Sequence, residues 1–199
     1  MGPGIDWAKG GHFMKKQHRT PHLATEQGTE QWELTLQDRV VVRCTFCLPQ
    51  ITAEGRGPER IARHYRRLEQ HWRTYIQKEL YLYACLDCAD RMAAGRAFRP
   101  WQAKLKGEVC YCGGGLLSLR MEWTECRGYR PAVGAVWGDC WLVEEGALCK
   151  LGSFAPHRRL KKRYFSKAAN LSGTLEFYLA DDGVHLMDTY GQECAVQIE

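Results

Sequence analysis

A change of period near Pro100 constrains this chain more than any other feature. Upstream of it, Ile61, Tyr65, Leu68, Trp72, Tyr75, Leu82 or Tyr83, and Leu86 recur at three- and four-residue steps. At about 100° per residue these positions form one apolar stripe of an amphipathic helix. Pro58 stands where proline is favoured, in a first helical turn, and Gly95 is a natural C-terminal stop. The helix expected over 58–95 has roughly 35 residues and is about 50 Å long. A helix of that length with a single stripe is expected to brace a sheet.

Downstream of Phe98-Arg99-Pro100-Trp101 the period becomes two. Runs 105–112 and 116–126 flank Gly113-Gly114-Gly115, which reads as a three-residue hairpin loop. Placing Cys112 opposite Leu116 puts Lys106 opposite Glu122 and Glu108 opposite Arg120. Both are opposite-charge cross-strand pairs on one face. The other face collects Leu105, Val109, Tyr111, Leu117, Leu119, Met121 and Trp123, and a one-residue slip would mix the two sets.

Residues 1–30 show no period and read as a flexible leader, leaving 31–199 as one domain. Residues 32–47, centred on Val40-Val41-Val42, read as one strand ended by Leu48-Pro49, with a loop to Gly57. Further strands are expected at 135–143, 147–151, 174–180, 184–188 and 194–198, with a short basic helix over 153–167. The fold class is therefore α+β: an antiparallel sheet packed against one long helix, plus a short basic helix.

Composition limits the function classes. The chain has 199 residues, 45% hydrophobic and 26% charged, as soluble globular proteins do. No window supplies the roughly 18 apolar residues of a membrane helix, and no secretory apolar region follows Met1 or Met14. The expected location is cytoplasmic. Net charge is +5, modest for a dedicated nucleic-acid binder, but it is concentrated in 56–73 and in Arg158, Arg159, Lys161, Lys162 and Arg163. Ten cysteines without an export signal favour reduced thiols.

Cys44-Thr45-Phe46-Cys47 has C-x-x-C spacing, but on a strand two residues three apart point to opposite faces, so these read as ordinary strand residues. Cys85 and Cys88 share a helix face with Tyr81 and Met92, a second apolar stripe that reads as core. Cys110 and Cys112 share the charged strand face, which should face water, so the sheet should stand between the two pairs and no zinc site should join them. His64 and His71 are two helical turns apart, about 10.5 Å, too far to share a metal ion. Nucleotide-loop, zinc-protease and serine-hydrolase signatures are absent.

Leu48-Pro49-Gln50-Ile51 with Glu59-Arg60-Ile61, then Gly114-Gly115-Leu116-Leu117-Ser118-Leu119, then Phe177-Tyr178-Leu179-Ala180-Asp181-Asp182-Gly183-Val184 occur in that order. With Phe98-Arg99-Pro100-Trp101 they resemble the extracytoplasmic domain of RsiV-type anti-sigma factors, catalogued as domain of unknown function 3298 and also found beside some peptidoglycan deacetylases. The resemblance spans about residues 36–199. It implies one long helix against an antiparallel sheet and a binding role, which in RsiV-type members is sensing lysozyme at the cell surface. Where those members carry Gly-Ala-His-Gly after the first hairpin, this chain has Tyr129-Arg130-Pro131-Ala132-Val133-Gly134. No ligand-contact residue carries over.

The expectation is a non-catalytic binding or sensor-type domain with no cofactor and no catalytic, cofactor-binding or metal-ligating residue. Its partner is expected to be a protein or a cell-envelope ligand, with nucleic acid less favoured. One alternative is a basic anion- or nucleic-acid-binding protein. The other is a thiol or zinc protein.

Overall fold

The computed structural model describes residues 24–52, 54–151, 176–188 and 192–196. Six strands form one sheet in chain order: β1 (Ala24–Leu36), β2 (Arg39–Thr52), β3 (Trp101–Gly113), β4 (Leu116–Cys126), β5 (Val133–Leu142) and β6 (Ala147–Leu148). A second sheet holds β7 (Glu176–Ala180), β8 (Gly183–Met187) and β9 (Glu193–Val196). The basic helix expected over 153–167, with the basic cluster from Arg158 to Arg163, lies outside the described residues, as do 1–23.

The long helix is present and continuous. It comprises α1 (Arg56–Tyr75), one π-helical turn (Ile76–Leu80) and α2 (Tyr81–Ala93). The sheet is antiparallel-dominated, as expected, with one parallel seam. The helix is the crossover between β2 and β3, and those two strands pair in parallel, Val42 opposite Trp101 through Cys47 opposite Lys106. A parallel pair needs such a crossover, because a tight turn cannot return the chain in the same direction. Every other strand pair is antiparallel.

The π turn explains which face of the helix is buried. In α1, Ile61 and Tyr65 are buried, with Leu68, Trp72 and Tyr75 packed beside them, as the stripe requires. Beyond Tyr75 the buried positions are Ile76, Leu80, Ala84 and Cys88, while Leu82, Tyr83 and Leu86 are exposed. A π turn holds one residue more than an α turn. That extra residue rotates the rest of the helix by about 100° and brings Leu80, Ala84 and Cys88 round to the sheet. The second stripe, Tyr81–Cys85–Cys88, is thus the one that continues the buried face, although its last member, Met92, is exposed.

The two hairpins differ from expectation in their turns. Residues 32–47 are not one strand: Gln37 (φ 48°) and Asp38 (φ 62°) form a two-residue turn between β1 and β2. Two successive left-handed residues match the twist of the flanking strands. β2 then runs through Pro49 to Thr52. Its pairing with β3 stops at Cys47, so Pro49 sits where one edge of the strand is free and its missing N–H is tolerated. In the β3–β4 hairpin Lys106 faces Glu122, Glu108 faces Arg120 and Val109 faces Leu119, as the charges required. The loop is the pair Gly114 (φ 56°) and Gly115 (φ 78°), not three glycines. The residue this frees is taken up by a bulge at Cys110, after which Tyr111 faces Ser118.

Strand β1 begins at Ala24, inside the segment expected to be leader. Its first half is polar because it is an edge strand beyond the end of β3. It is tied down nonetheless. Gln27 Nε2 donates to Gly107 O at 3.0 Å, Thr29 Oγ1 lies 3.2 Å from Cys47 Sγ, and Glu30 pairs with Arg73. A chain truncated to begin at Gln31 should therefore lose about 2 kcal/mol and melt roughly 6 °C lower than one beginning at Ala24. Equal melting temperatures would show that these contacts carry no stability.

The helix runs from the β4–β6 end of the sheet to the β2–β3 end. At its start Ile61 and Tyr65 pack with Leu117, Leu119, Met121, Trp141 and Val143. At its end Leu80, Ala84 and Cys88 pack with Val42, Cys44, Trp101 and Ala103. Between them Trp72 stacks on Trp123, centroids 3.9 Å apart and planes 16° from parallel. Leu116, Cys140 and the second sheet's Phe177, Leu179, Val184 and Leu186 form a third core on the other face. That face was expected to meet water, but a sheet of β7–β9 covers part of it. Ser118 Oγ accepts the Leu179 N–H at 2.7 Å, and Arg120 pairs with Glu193 of β9 at 2.7 Å.

Candidate binding groove

Because β1 and β2 continue past the end of β3, they form a two-stranded ribbon. The helix leaves Thr52 after a short loop and turns back across the sheet. Its first turn seats against the β5–β6 turn, where a Cβ on Gly57 would meet Val143 O at 2.0 Å, and Arg60 Nη1 donates to Glu145 O at 3.1 Å. Ribbon and helix therefore diverge and leave an open groove of about 680 Å³ between them.

The groove has an apolar floor and a charged rim. Phe46, Leu48, Pro49, Ile51 and Tyr65 supply the floor; Glu30, Arg66 and Glu69 stand on the rim. Gly107 keeps the base compact, since a Cβ there would meet the Pro49 ring and the Met121 sulfur at 2.9 Å. Beside the groove stands Arg73, which holds two of its lining residues, Glu30 and Glu69. Its guanidinium bonds to Glu69 at 2.8 Å and to Glu30, and lies 4.4 Å from the Trp32 ring and 5.2 Å from Phe46. The pKa of Arg73 is raised: burial works against its charge, and hydrogen bonds to Glu69 and Glu30 outweigh that. A planar cation lying over two edge-packed aromatic rings and held by two carboxylates ties the edge strand to α1.

Behind the floor lies a buried polar network. Tyr65 donates from its hydroxyl to Asp139 Oδ2 at 2.9 Å and accepts from Trp141 Nε1 at 2.8 Å. Trp137 also hydrogen-bonds Asp139, and His64 lies 5.0 Å from the Trp141 ring, between centroids. Burial pushes the Asp139 carboxyl above its usual range, against the stabilising hydrogen bond from Tyr65 and the pull of His64. Burial and the neighbouring Asp139 likewise push the Tyr65 phenol well above its ordinary value. The network holds Tyr65 in the groove floor.

A pH signature follows. Unfolded Asp139 titrates near 3.8, and the folded carboxyl keeps its proton to higher pH. The folded chain then binds more protons over that window, so stability falls as pH rises through it. The wild type should melt higher, relative to Asp139→Asn, near pH 4 than near pH 7. A difference that stays constant with pH would mean that the folded and unfolded carboxyls titrate alike.

The thiols separate as the strand and helix geometry requires. Cys44 is buried in the helix-side core, its pKa pushed up to about 12 by burial, while Cys47 points to the opposite face. Cys85 and Cys88 sit on the helix side of the sheet. Cys110 lies on the other side, near Arg120, Tyr178 and Glu193. Cys112 is exposed, but Cys110 is half-buried rather than open to water, with its pKa pushed up to about 11 by burial. Bulge and second sheet together account for that difference. Among the described residues no cluster of three or more His, Cys, Asp or Glu side chains forms a metal site. His71 stacks edge-on against Trp72 and His64 against Tyr65 and Trp141, so the two remain apart.

The groove and the Asp139 network were missed by sequence reading, yet part of the signal was present. Trp137, Asp139 and Trp141 alternate on one strand face, which places a carboxylate between two inward tryptophans. The groove itself depends on how far β2 outruns β3, which no local pattern encodes.

No family model matches the sequence, and no curated protein does. Solved structures do. The chain is similar to a member of the DUF3298 family from Bacteroides fragilis, at 14% identity and a TM-score of 0.57, covering 90% of this chain and 92% of that one. It is also similar to a DUF3298 family protein from Pseudomonas aeruginosa PAO1, at 11% identity and a TM-score of 0.54, covering 89% and 90%. At such identities the likeness speaks for the fold: a long crossover helix braced on an antiparallel-dominated sheet is the fold this chain shares with DUF3298 family proteins.

Proposed function

We propose that the chain is a non-catalytic binding domain of sensor type, and that the groove between the β1–β2 ribbon and α1 holds its ligand. The groove itself carries this reading: a large open cleft with an apolar floor and a rim of both charges, two of whose carboxylates, Glu30 and Glu69, are held by Arg73. Such a surface recognises an amphipathic ligand by shape and a few polar contacts. The resemblance to RsiV-type domains favours a protein or cell-envelope ligand, lysozyme first. Backbone amide shifts on titrating the labelled chain with lysozyme, and separately with muropeptide fragments, test this. Saturable shifts at Thr29, Gln50, Ala62 and Arg66 that vanish in Ala62→Trp support it. Shifts confined to other surfaces, or none with either ligand, reject it.

A second reading rests on one face of α1. Arg56, Arg60, Arg63 and Arg67 recur at helical spacing on its solvent side, and none makes an ion pair among the described residues. Such a row suits a polyanion, whose affinity would fall steeply with salt and with Arg63→Glu. Binding in the groove should be nearly indifferent to both.

A further inference from the structure

The β5–β6 hairpin sets two cysteines against each other. Leu142 faces Ala147 and Trp141 faces Leu148, and the Cys149 N–H donates to Cys140 O at 2.6 Å, so Cys140 and Cys149 are the next opposed pair. Opposed residues that share a backbone hydrogen bond have Cα atoms about 5.5 Å apart with side chains on one face, within the roughly 4.4–6.8 Å that a disulfide spans. The two thiols hydrogen-bond each other. Among the described residues no other two thiols do so. Their exposures differ: Cys140 is 2% exposed, packed against Phe177 and Leu179, whereas Cys149 is half-buried at the sheet edge.

We propose that Cys140 and Cys149 form a peroxide-responsive dithiol that closes into a cross-strand disulfide. Cys149 is the attacking thiol, since a small oxidant reaches it and not its partner. The hydrogen bond from Cys140 also holds the pKa of Cys149 below its ordinary value, and the same contact together with burial pushes Cys140 up. The Cys149 thiolate attacks one peroxide oxygen, the O–O bond breaks, and the departing hydroxide takes up a proton as water. Cys149 is then a sulfenic acid. The Cys140 sulfur attacks the Cys149 sulfur, the S–S bond forms, the S–O bond breaks, and the leaving hydroxide carries off the Cys140 proton as a second water. Two electrons pass from the sulfur pair to the peroxide.

The disulfide would lock β6 to β5. β6 is a two-residue strand at the sheet edge, and the turn before it supports the first turn of α1 at Gly57. Closing this short loop should raise Tm by about 5 °C.

The test treats the folded, reduced chain with a small excess of hydrogen peroxide, then maps peptides by mass. The expected result is loss of two hydrogens and one linked peptide pair, Cys140 with Cys149, together with the higher Tm, both reversed by dithiothreitol. Cys140→Ser should leave a Cys149 sulfenic acid that dimedone traps, and no linked pair. Cys149→Ser, at the more exposed position, keeps the test independent of any folding defect in the first variant and should leave Cys140 unmodified under the same exposure. A linked pair built from other cysteines, Cys140 reacting first, or a Cys149 thiol no faster than Cys47 would each overturn the proposal.

Discussion

Gly138→Ala is expected to be among the most damaging single substitutions in the molecule. Gly138 lies on β5 where the two sheets touch. A Cβ there would stand 1.8 Å from Phe177 O and 2.9 Å from Tyr178 N, both backbone atoms of β7. No rotamer change relieves a clash with backbone, so the sheets must part. Parting them weakens the Ser118–Leu179 hydrogen bond and opens the core of Leu116, Cys140, Leu179 and Leu186. Overpacking of this kind costs about 3 kcal/mol or more, roughly 10 °C in Tm. Gly95→Ala is the control. Its φ of 63° is strained for any side chain, but no atom lies within 4 Å, so about 1 kcal/mol is expected. Thermal melts of both variants decide it; equal losses would mean the second sheet does not rest on β5 at Gly138.

Deleting one residue from the long helix should be nearly harmless at one place and severe at another. The π turn of Ile76–Leu80 contains the surplus residue that brings Leu80, Ala84 and Cys88 to the sheet. Removing the exposed Lys78 lets the helix run as regular α, and those three positions then fall on the stripe begun by Ile61 and Tyr65. A change within about 1 kcal/mol is expected, since no buried side chain is lost. Removing the equally exposed Gln70 rotates Trp72, Arg73 and Tyr75 by about 100° before the π turn. The Trp72–Trp123 stack and the Arg73 clamp on Glu30 are lost together. Loss of a stacked core tryptophan alone costs about 3 kcal/mol. If both deletions unfold the chain equally, the π turn is not a dispensable insertion.

How far the sequence reached depends on the kind of signal. The β3–β4 register was legible from Lys106–Glu122 and Glu108–Arg120, because charge and hydropathy alternate together there. The bulge at Cys110 was not, since two glycines plus a bulge consume as many residues as three glycines. The first half of the helix was legible from its stripe. The second half was misphased by one residue, although Tyr81, Cys85 and Cys88 carried the new phase in plain view. The β1–β2 turn was hidden because Gln37-Asp38 lacks the glycine that usually marks left-handed turns. Gly138, between Trp137 and Asp139, did carry a readable sign, since a lone glycine inside a strand often marks close backbone approach. The groove was illegible because strand length past a neighbour is set by tertiary pairing.

The parallel seam between β2 and β3 also shapes how the chain must assemble. β1 with β2, and β3 with β4 to β6, are joined by short connections and can zip up locally. Val42 and Trp101, by contrast, are separated by roughly sixty residues, and the closure entropy of that loop must be met before their pairing contributes anything. The intervening helix shortens the search once it docks, because a rigid rod replaces a long flexible tether. The two halves of the large sheet should therefore mature early and separately. Their joining, with the helix laid across both, should set the folding rate, and until then β2 and β3 each expose a bare strand edge to any other chain in the same state.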